Sequence, residues 1–473
     1  MKKAIVIGAG PAGLSCAYEL SKKGVDVIVF EASNHVGGMS RSFNLWGQIV
    51  DLGPHRFFSK QKEVNAFFNA LVKDDFTLVN RQTRIFYNGK YFQYPLKFGN
   101  VLKNLSFVTI FQILWHYIVR VLFPIKNPKN LEEWISNRFG KKLYTIFFKN
   151  YSEKLWGIKC TQIDADWAAQ RIKTLSLVQA VFSSIFNNKG NKHKTLVDQF
   201  AYPNNGTGTL YERAAESIKK ENGKIVFNKP VKRVLLNKSN KKVRGVELVD
   251  GSVFEADYVI STMPLTNLVN GFDQVPGKVK NAIDSLYFRN TILVYFEVDT
   301  KDLFTDNWLY IHAPEVKLGR VTNFRNWCPT LTKDKNTSIL ALEFWCFEKD
   351  KIWSANDNDL IKMAKEELSV INLIPKKDKI INSRVIRVPK CYPVYETGYM
   401  NKLDIVKDYL KDIEGLMPIG RYGAFKYNNQ DHSILMGLLA ANKITNNNQI
   451  DLWKVNTDTE YQEDGKIKDV LIY

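Results

Sequence analysis

The sequence predicts an α/β fold: a doubly wound parallel sheet whose pieces are dispersed along the chain, with a helical domain and a mixed β-sheet domain inserted between them. Three observations carry this. Residues 3–7 are a short β-branched run ending in Gly8-Ala-Gly10-Pro-Ala-Gly13 and passing into a helical pattern up to Lys22. Gly24 stops that helix, and residues 25–30 form a second apolar run closed by Glu31. Strand patterns at residues 256–262 and around Leu416 return far downstream, so other domains must sit between the pieces of the first sheet.

The remaining elements follow in order. Residues 36–41 read as a loop, and residues 49–53 as a short strand leading to Pro54-His55. From 63 to 200 the pattern is mostly helical, apart from strand-like pieces at 84–94. Alternating strands resume at 224–253 around a Lys/Asn-rich turn at 237–242, and 256–262 is a buried strand that rejoins the first sheet. Residues 286–347 are rich in strand patterns, including 291–298 and 338–344, and a helical run at 433–446 follows Gly420-Arg421. The expected division is a discontinuous nucleotide-binding domain (1–62, 203–285 and 405–450), a mostly helical insertion (63–202), a β-sheet substrate domain (286–404) and a surface tail (451–473).

Composition bounds the function. A chain of 473 residues with 45% hydrophobic and 13% aromatic content can fill two or three cores and is too apolar to be disordered over most of its length. Its five cysteines are scattered without a Cys-x-x-Cys pair or suitably spaced histidines, which argues against a disulfide framework and against a metal site. The formal charge of +19 leaves two readings open. One is a solvated lysine-rich surface; the other is attraction to an anionic ligand, such as a diphosphate, or to an anionic membrane. No basic stripe is interleaved with aromatics, so nucleic acid is not an expected partner.

Residues 106–123 are the most apolar window, but Gln112, His116 and Arg120 recur in it at four-residue spacing. That describes an amphipathic helix rather than a span, expected to be buried against its own domain, with a bilayer interface as the alternative. No leader pattern follows Met1-Lys2-Lys3. The expected compartment is therefore the cytoplasm, with peripheral association at the inner membrane face as the alternative.

Gly8, Gly10 and Gly13 stand between a strand and a helix, and Glu31 lies 23 residues after Gly8. In that context Gly8 permits the tight turn, Gly10 lets a pyrophosphate approach the backbone, and Gly13 allows close helix–sheet packing. The helix N-terminus favours the phosphates, and Glu31 accepts a ribose hydroxyl. Gly37-Gly38 lets the chain pass the cofactor diphosphate, which Arg41 can neutralise. The order Glu31, Gly37-Gly38, Thr262-x-Pro264, Gly420-Arg421 resembles the FAD-containing amine-oxidase and glutathione-reductase-like superfamily. The resemblance implies a Rossmann-like FAD-binding domain of glutathione-reductase type and FAD as the cofactor. No second dinucleotide fingerprint is present, so NAD(P)H is expected only as a transient reductant.

Within that superfamily the sequence resembles UDP-galactopyranose mutases in several blocks. These are residues 37–42 and 51–59, Lys90-Tyr-Phe-Gln-Tyr-Pro95, Tyr151-Ser-Glu-Lys-Leu-Trp156, Trp167-x-x-x-Arg171, Tyr202-Pro-x-x-Gly-Thr-Gly208, Cys391-Tyr-Pro393, and Gly420-Arg-Tyr-Gly-x-x-x-Tyr427-x-Asn429-Gln-Asp-His-Ser433. The resemblance implies a nucleotide-sugar mutase of cell-surface polysaccharide synthesis. FAD works there in its reduced form, its N5 attacking the anomeric carbon, and pyranose and furanose forms interconvert with no net redox change. It also implies site roles. Arg171, Tyr392 and Tyr427 would hold the substrate diphosphate, with Tyr94 beside them. His55 would lie at the reactive edge of the flavin, Arg320 has a counterpart, and Asn429 and Gln430 would meet the ribityl chain or substrate hydroxyls.

Two departures stand out. Tyr94-Pro95 is followed by Leu96-Lys97 instead of the aromatic residue and glutamine that the resemblance assigns to uracil recognition, which is therefore not expected to carry over intact. The strand at 291–298 carries Glu297 near its end instead of an arginine, which would weaken diphosphate binding. An FAD-dependent oxidase or dehydrogenase of the amine-oxidase or protoporphyrinogen-oxidase type therefore remains the alternative, and a non-catalytic flavoprotein scaffold a third reading.

Overall fold

The structure, a computed structural model, describes residues 1–94, 96, 98–167, 199–237, 241–333, 335–374 and 379–456. Its first sheet is the predicted one. Lys3–Ile7 pairs in parallel with Asp26–Phe30 on one side and Tyr258–Ser261 on the other. Lys224–Val226 and Leu416–Pro418 complete the two edges, so the five strands come from four distant parts of the chain. Ala4–Ile7 are all buried, as an apolar run covered on both faces requires.

The helix Pro11–Lys22 covers this sheet and crosses the helix Gln430–Asn446 at close range. Ser15 Oγ donates to the Ile434 carbonyl at 3.1 Å. A Cβ on Gly437 would lie 2.1 Å from Ser15 Oγ and 2.3 Å from the Ala12 carbonyl oxygen, so only glycine fits at that crossing.

The second large sheet has seven strands in the order Ile380–Pro393, Phe288–Val298, Ser338–Cys346, Arg320–Asn323, Trp308–Ile311, Thr83–Tyr87, Lys90–Gln93. Every residue of Phe288–Val298 and Ser338–Cys346 is buried, which makes Glu297 and Glu343 carboxylates inside a sheet core. The hairpin Thr83–Tyr87/Lys90–Gln93 comes from the stretch read as mostly helical. It joins this sheet through a parallel pairing with Trp308–Ile311. The strand-like pattern at 84–94 is local and does not show which sheet receives it.

One expectation is overturned. The helix Phe107–Leu122 forms as read, yet it is not buried against its own domain: Ile113 is its one buried residue. It touches the rest of the chain along a narrow face, against Gly140, where a Cβ would lie 2.7 Å from the Tyr117 amide nitrogen. Among the described residues no helix is long and apolar enough to cross a membrane.

Candidate functional site

The chain segments that leave the parallel strands at their carboxyl ends meet at one place, as expected of a doubly wound sheet. Gly8 has φ +96°, and a Cβ there would lie 2.2 Å from Thr262 Oγ1. A Cβ on Gly13 would lie 2.0 Å from the Gly8 carbonyl oxygen, so both positions exclude any side chain. No side chain caps the helix Pro11–Lys22, which leaves its first-turn N–H groups to an anion. Glu31 Oε2 accepts from the Ala9 N–H at 2.7 Å, and Oε1 accepts from the Ser33 N–H at 2.9 Å and hydroxyl at 2.7 Å. These bonds hold the carboxylate at the lip of the cradle. Gly38 closes it from the other side, its backbone running so near Gly10 that a Cβ would be 3.1 Å from the Gly10 Cα. A cradle of bare backbone, an uncapped helix end and a fixed carboxylate fits a dinucleotide such as FAD.

The cradle opens into a single cavity of about 1060 Å³. Gly8, Gly10, Glu31, Gly38, Arg41 and Gly420 line it at the nucleotide end. His55, Tyr94, Arg320, Tyr392, Arg421, Tyr427, Asn429 and Gln430 line it elsewhere, so the structure brings together nearly all the residues singled out from sequence. Gly13 lies beneath the wall, in the helix. Arg171 and Lys97 lie outside the described residues.

Arg421 forms the polar centre. Its Nε donates to the Cys391 carbonyl at 2.7 Å and Nη1 to the Asn428 carbonyl at 2.9 Å. Those bonds hold the guanidinium 4.7 Å from the Tyr392 ring centroid and 4.4 Å from that of Tyr427. The two phenols stack at 5.6 Å with an interplanar angle of 23°. Burial pushes the Tyr392 phenol up, so it is a hydrogen-bond donor at neutral pH.

Arg320 faces the same space from the large sheet. Its Nε and Nη2 each donate to Glu343 at 2.6 Å, and the two side chains are 15% and 3% exposed. Glu343 escaped the sequence reading; its signal was a lone carboxylate in the apolar run Ser338–Cys346. His55 is half-buried, and desolvation, then the charges of Arg320 and Arg421, push its imidazole down to about 3. It is therefore neutral, and its buried Nδ1 has no hydrogen-bond partner within the protein. Tyr151 and His312, also missed as site residues, stack at 4.8 Å, and Tyr94 sits edge-on to Tyr310 at 5.2 Å.

Two sequence expectations change in detail. Gln430 lines the cavity, but its amide accepts from Tyr211 at 2.8 Å and donates to the Arg56 carbonyl at 2.7 Å, so it ties elements together. Asn429, beside it, caps the helix Gln430–Asn446. Glu297 is not in the cavity wall: it accepts from Thr337 and Asn382, each at 2.7 Å, and so does not oppose an anion there. The cysteines are all free and buried, and burial raises the Cys160 and Cys391 thiols to about 12, which makes both unreactive.

A family model described as flavin containing amine oxidoreductase matches residues 11–369. The coproporphyrinogen III oxidase of Staphylococcus aureus is 24% identical over 442 residues, 87% of this chain and 92% of that protein. A probable UDP-galactopyranose mutase of Klebsiella pneumoniae is 27% identical over 35% of this chain and 43% of its own. A crystal structure of reduced UDP-galactopyranose mutase superposes with a TM-score of 0.84 at 24% identity, covering 98% of this chain and 100% of that one. At that identity the likeness is one of fold.

Proposed function

Because the chain belongs to the flavin containing amine oxidoreductase family, we propose that it is a flavin-dependent mutase that interconverts ring forms of a sugar carried on a diphosphate. The observation that supports this reading is the stack of Arg421 on Tyr392 and Tyr427, with the Arg320 charge in the same cavity. A guanidinium held against two phenols suits holding a diphosphate while it is detached from its sugar. FAD, when bound, supplies a reduced ring edge able to act as a nucleophile toward the anomeric carbon.

The residues of the chain do the rest. Gly8, Gly10, Gly38 and the helix Pro11–Lys22 hold the cofactor pyrophosphate, with Glu31 on its ribose and Arg41 nearby. Arg421 and the two phenols retain the leaving diphosphate, and Arg171 is the further cation proposed for it. Neutral His55 offers a hydrogen bond without adding charge. The rings of Tyr151, Trp156 and Tyr310 exclude water from an electrophilic sugar.

The test is turnover after one chemical reduction of the holoenzyme in the absence of oxygen. A mutase converts many equivalents of UDP-galactopyranose or a related sugar diphosphate without consuming reductant. One reductant consumed per product, or peroxide formed in step with product in air, refutes it. That second outcome would favour the oxidase reading, which the S. aureus relative supports.

A further inference from the structure

Part of the cavity lining is apolar, and we read it as a second arm. Leu96, Val101, Ile110, Ile113, Leu143 and Phe147 line it, and none of them offers a hydrogen bond to a nucleobase. Leu96 follows Tyr94-Pro95, where the mutase resemblance expects recognition of uracil. Ile110 and Ile113 belong to the helix Phe107–Leu122, which thus forms part of the site wall.

The other side of that helix faces solvent. Phe107, Phe111, Trp115 and Ile118 are 92, 68, 58 and 49% exposed, with Leu122 and Phe123 continuing the surface. At helical spacing these residues form one stripe, away from Gln112 and His116. An apolar stripe of that size left on the surface marks an interaction site. The exposed Lys103, Lys126 and Lys129 flank the helix in sequence, and the whole chain carries +19. A helix with an apolar face and basic flanks suits the plane of an anionic bilayer, and it is also the wall of the arm that leads to the diphosphate-binding residues.

We propose that the substrate is a sugar joined through phosphate to a long aliphatic or isoprenoid chain, taken up from an anionic membrane surface on which Phe107–Leu122 lies. The sugar end of this inference rests on the mutase reading; the lipid end rests on the arm and the helix. Arg421, Tyr392 and Tyr427 meet the phosphate, and the chain runs along Ile110 and Ile113 toward the bilayer.

Two measurements on the FAD-loaded full chain test it. Farnesyl diphosphate, followed by its effect on the flavin spectrum, should bind at least about tenfold more tightly than UDP. Ile113→Trp should remove that advantage while leaving affinity for inorganic diphosphate unchanged; if this variant loses its flavin, the half-buried Ile110→Trp serves instead. The protein should also sediment with vesicles containing about one-third phosphatidylglycerol, and Phe111→Glu with Ile118→Glu should abolish this while farnesyl diphosphate still binds in solution.

UDP binding as tightly as farnesyl diphosphate overturns the proposal. So does a stable dimer that the double substitution dissociates, since the stripe would then cover a second copy of the chain. The two readings fail separately. Lipid binding without ring isomerisation of a farnesyl-diphosphate sugar sinks the mutase and leaves the lipid site standing. Turnover of UDP-sugars without lipid binding does the reverse.

Discussion

Removing the Arg320 guanidinium while leaving Glu343 in place strands a carboxylate that is 3% exposed in the centre of the large sheet. Breaking one side of a buried pair costs about 3–5 kcal/mol, whereas replacing both partners by neutral groups is often close to neutral. With an unfolding entropy of about 2.1 cal/mol/K per residue, a chain this long changes stability by about 1 kcal/mol per degree near its Tm. Arg320→Met should therefore lower the Tm of the holoenzyme by about 3–5 °C. Arg320→Met with Glu343→Gln should recover most of that loss. Inorganic diphosphate adds a functional readout. Loss of a charged hydrogen bond, about 1.5–3 kcal/mol, should weaken its binding at least about tenfold in both variants, including the one with restored stability. Scanning calorimetry and a binding titration on the same samples check the argument. A single variant as stable as the wild type, or a double variant no better than the single, would refute the buried-pair reasoning. Unchanged diphosphate affinity in both would remove Arg320 from the site.

Three further outcomes are expected. His55 stays neutral down to about pH 3, so His55→Gln should lower activity without altering the shape of the pH–rate profile between pH 5 and 8; disappearance of a limb near pH 6 would contradict this. Burial pushes the Asp51 carboxyl up to about 7, against hydrogen bonds from Ser42 and Tyr202, while an unfolded Asp titrates near about 3.9. The folded chain thus holds a proton that the unfolded chain releases. This stabilisation is complete below about pH 4 and is lost as pH rises through 7, so Asp51→Asn should flatten the decline of Tm across that window. An unchanged slope would show that Asp51 is ionised in the fold. Gly13→Ala places a methyl group 2.0 Å from the Gly8 carbonyl oxygen, a backbone atom that cannot step aside, and the purified variant should carry little or no flavin absorbance. Full flavin content would mean that the turn tolerates displacement.

The cofactor cradle was legible because its requirements are local. A strand, a glycine turn, a helix and Glu31 follow one another within the first 31 residues, and each demands a residue type that can be read directly. Arg421, Tyr392 and Tyr427 were visible as separate motif residues, but their stacking was not, because it depends on the Cys391 and Asn428 carbonyls that aim the guanidinium. Glu343 and Glu297 illustrate what sequence alone cannot separate. Both are carboxylates in buried strands; one faces the cavity and Arg320, the other is satisfied by Thr337 and Asn382 outside it. Which face of a fully buried strand points at a ligand depends on what packs on each side, and neither periodicity nor hydropathy records that. The helix Phe107–Leu122 failed for a related reason. Its apolar residues do not record whether the chain itself covers them, and here all but Ile113 stay at least partly exposed.

The crossing of Pro11–Lys22 over Gln430–Asn446 at Gly437 has a bearing on biosynthesis. The first helix emerges from the ribosome some four hundred residues before the helix that must seat against Ser15, and the edge strand Leu416–Pro418 is equally late. Until that strand and helix have emerged, the nascent half-sheet has an unpaired edge and a naked helix face, so a complete cofactor cradle should form only after Gly437 is made. A premature stop anywhere before Gly437 should yield a chaperone client rather than a shortened enzyme.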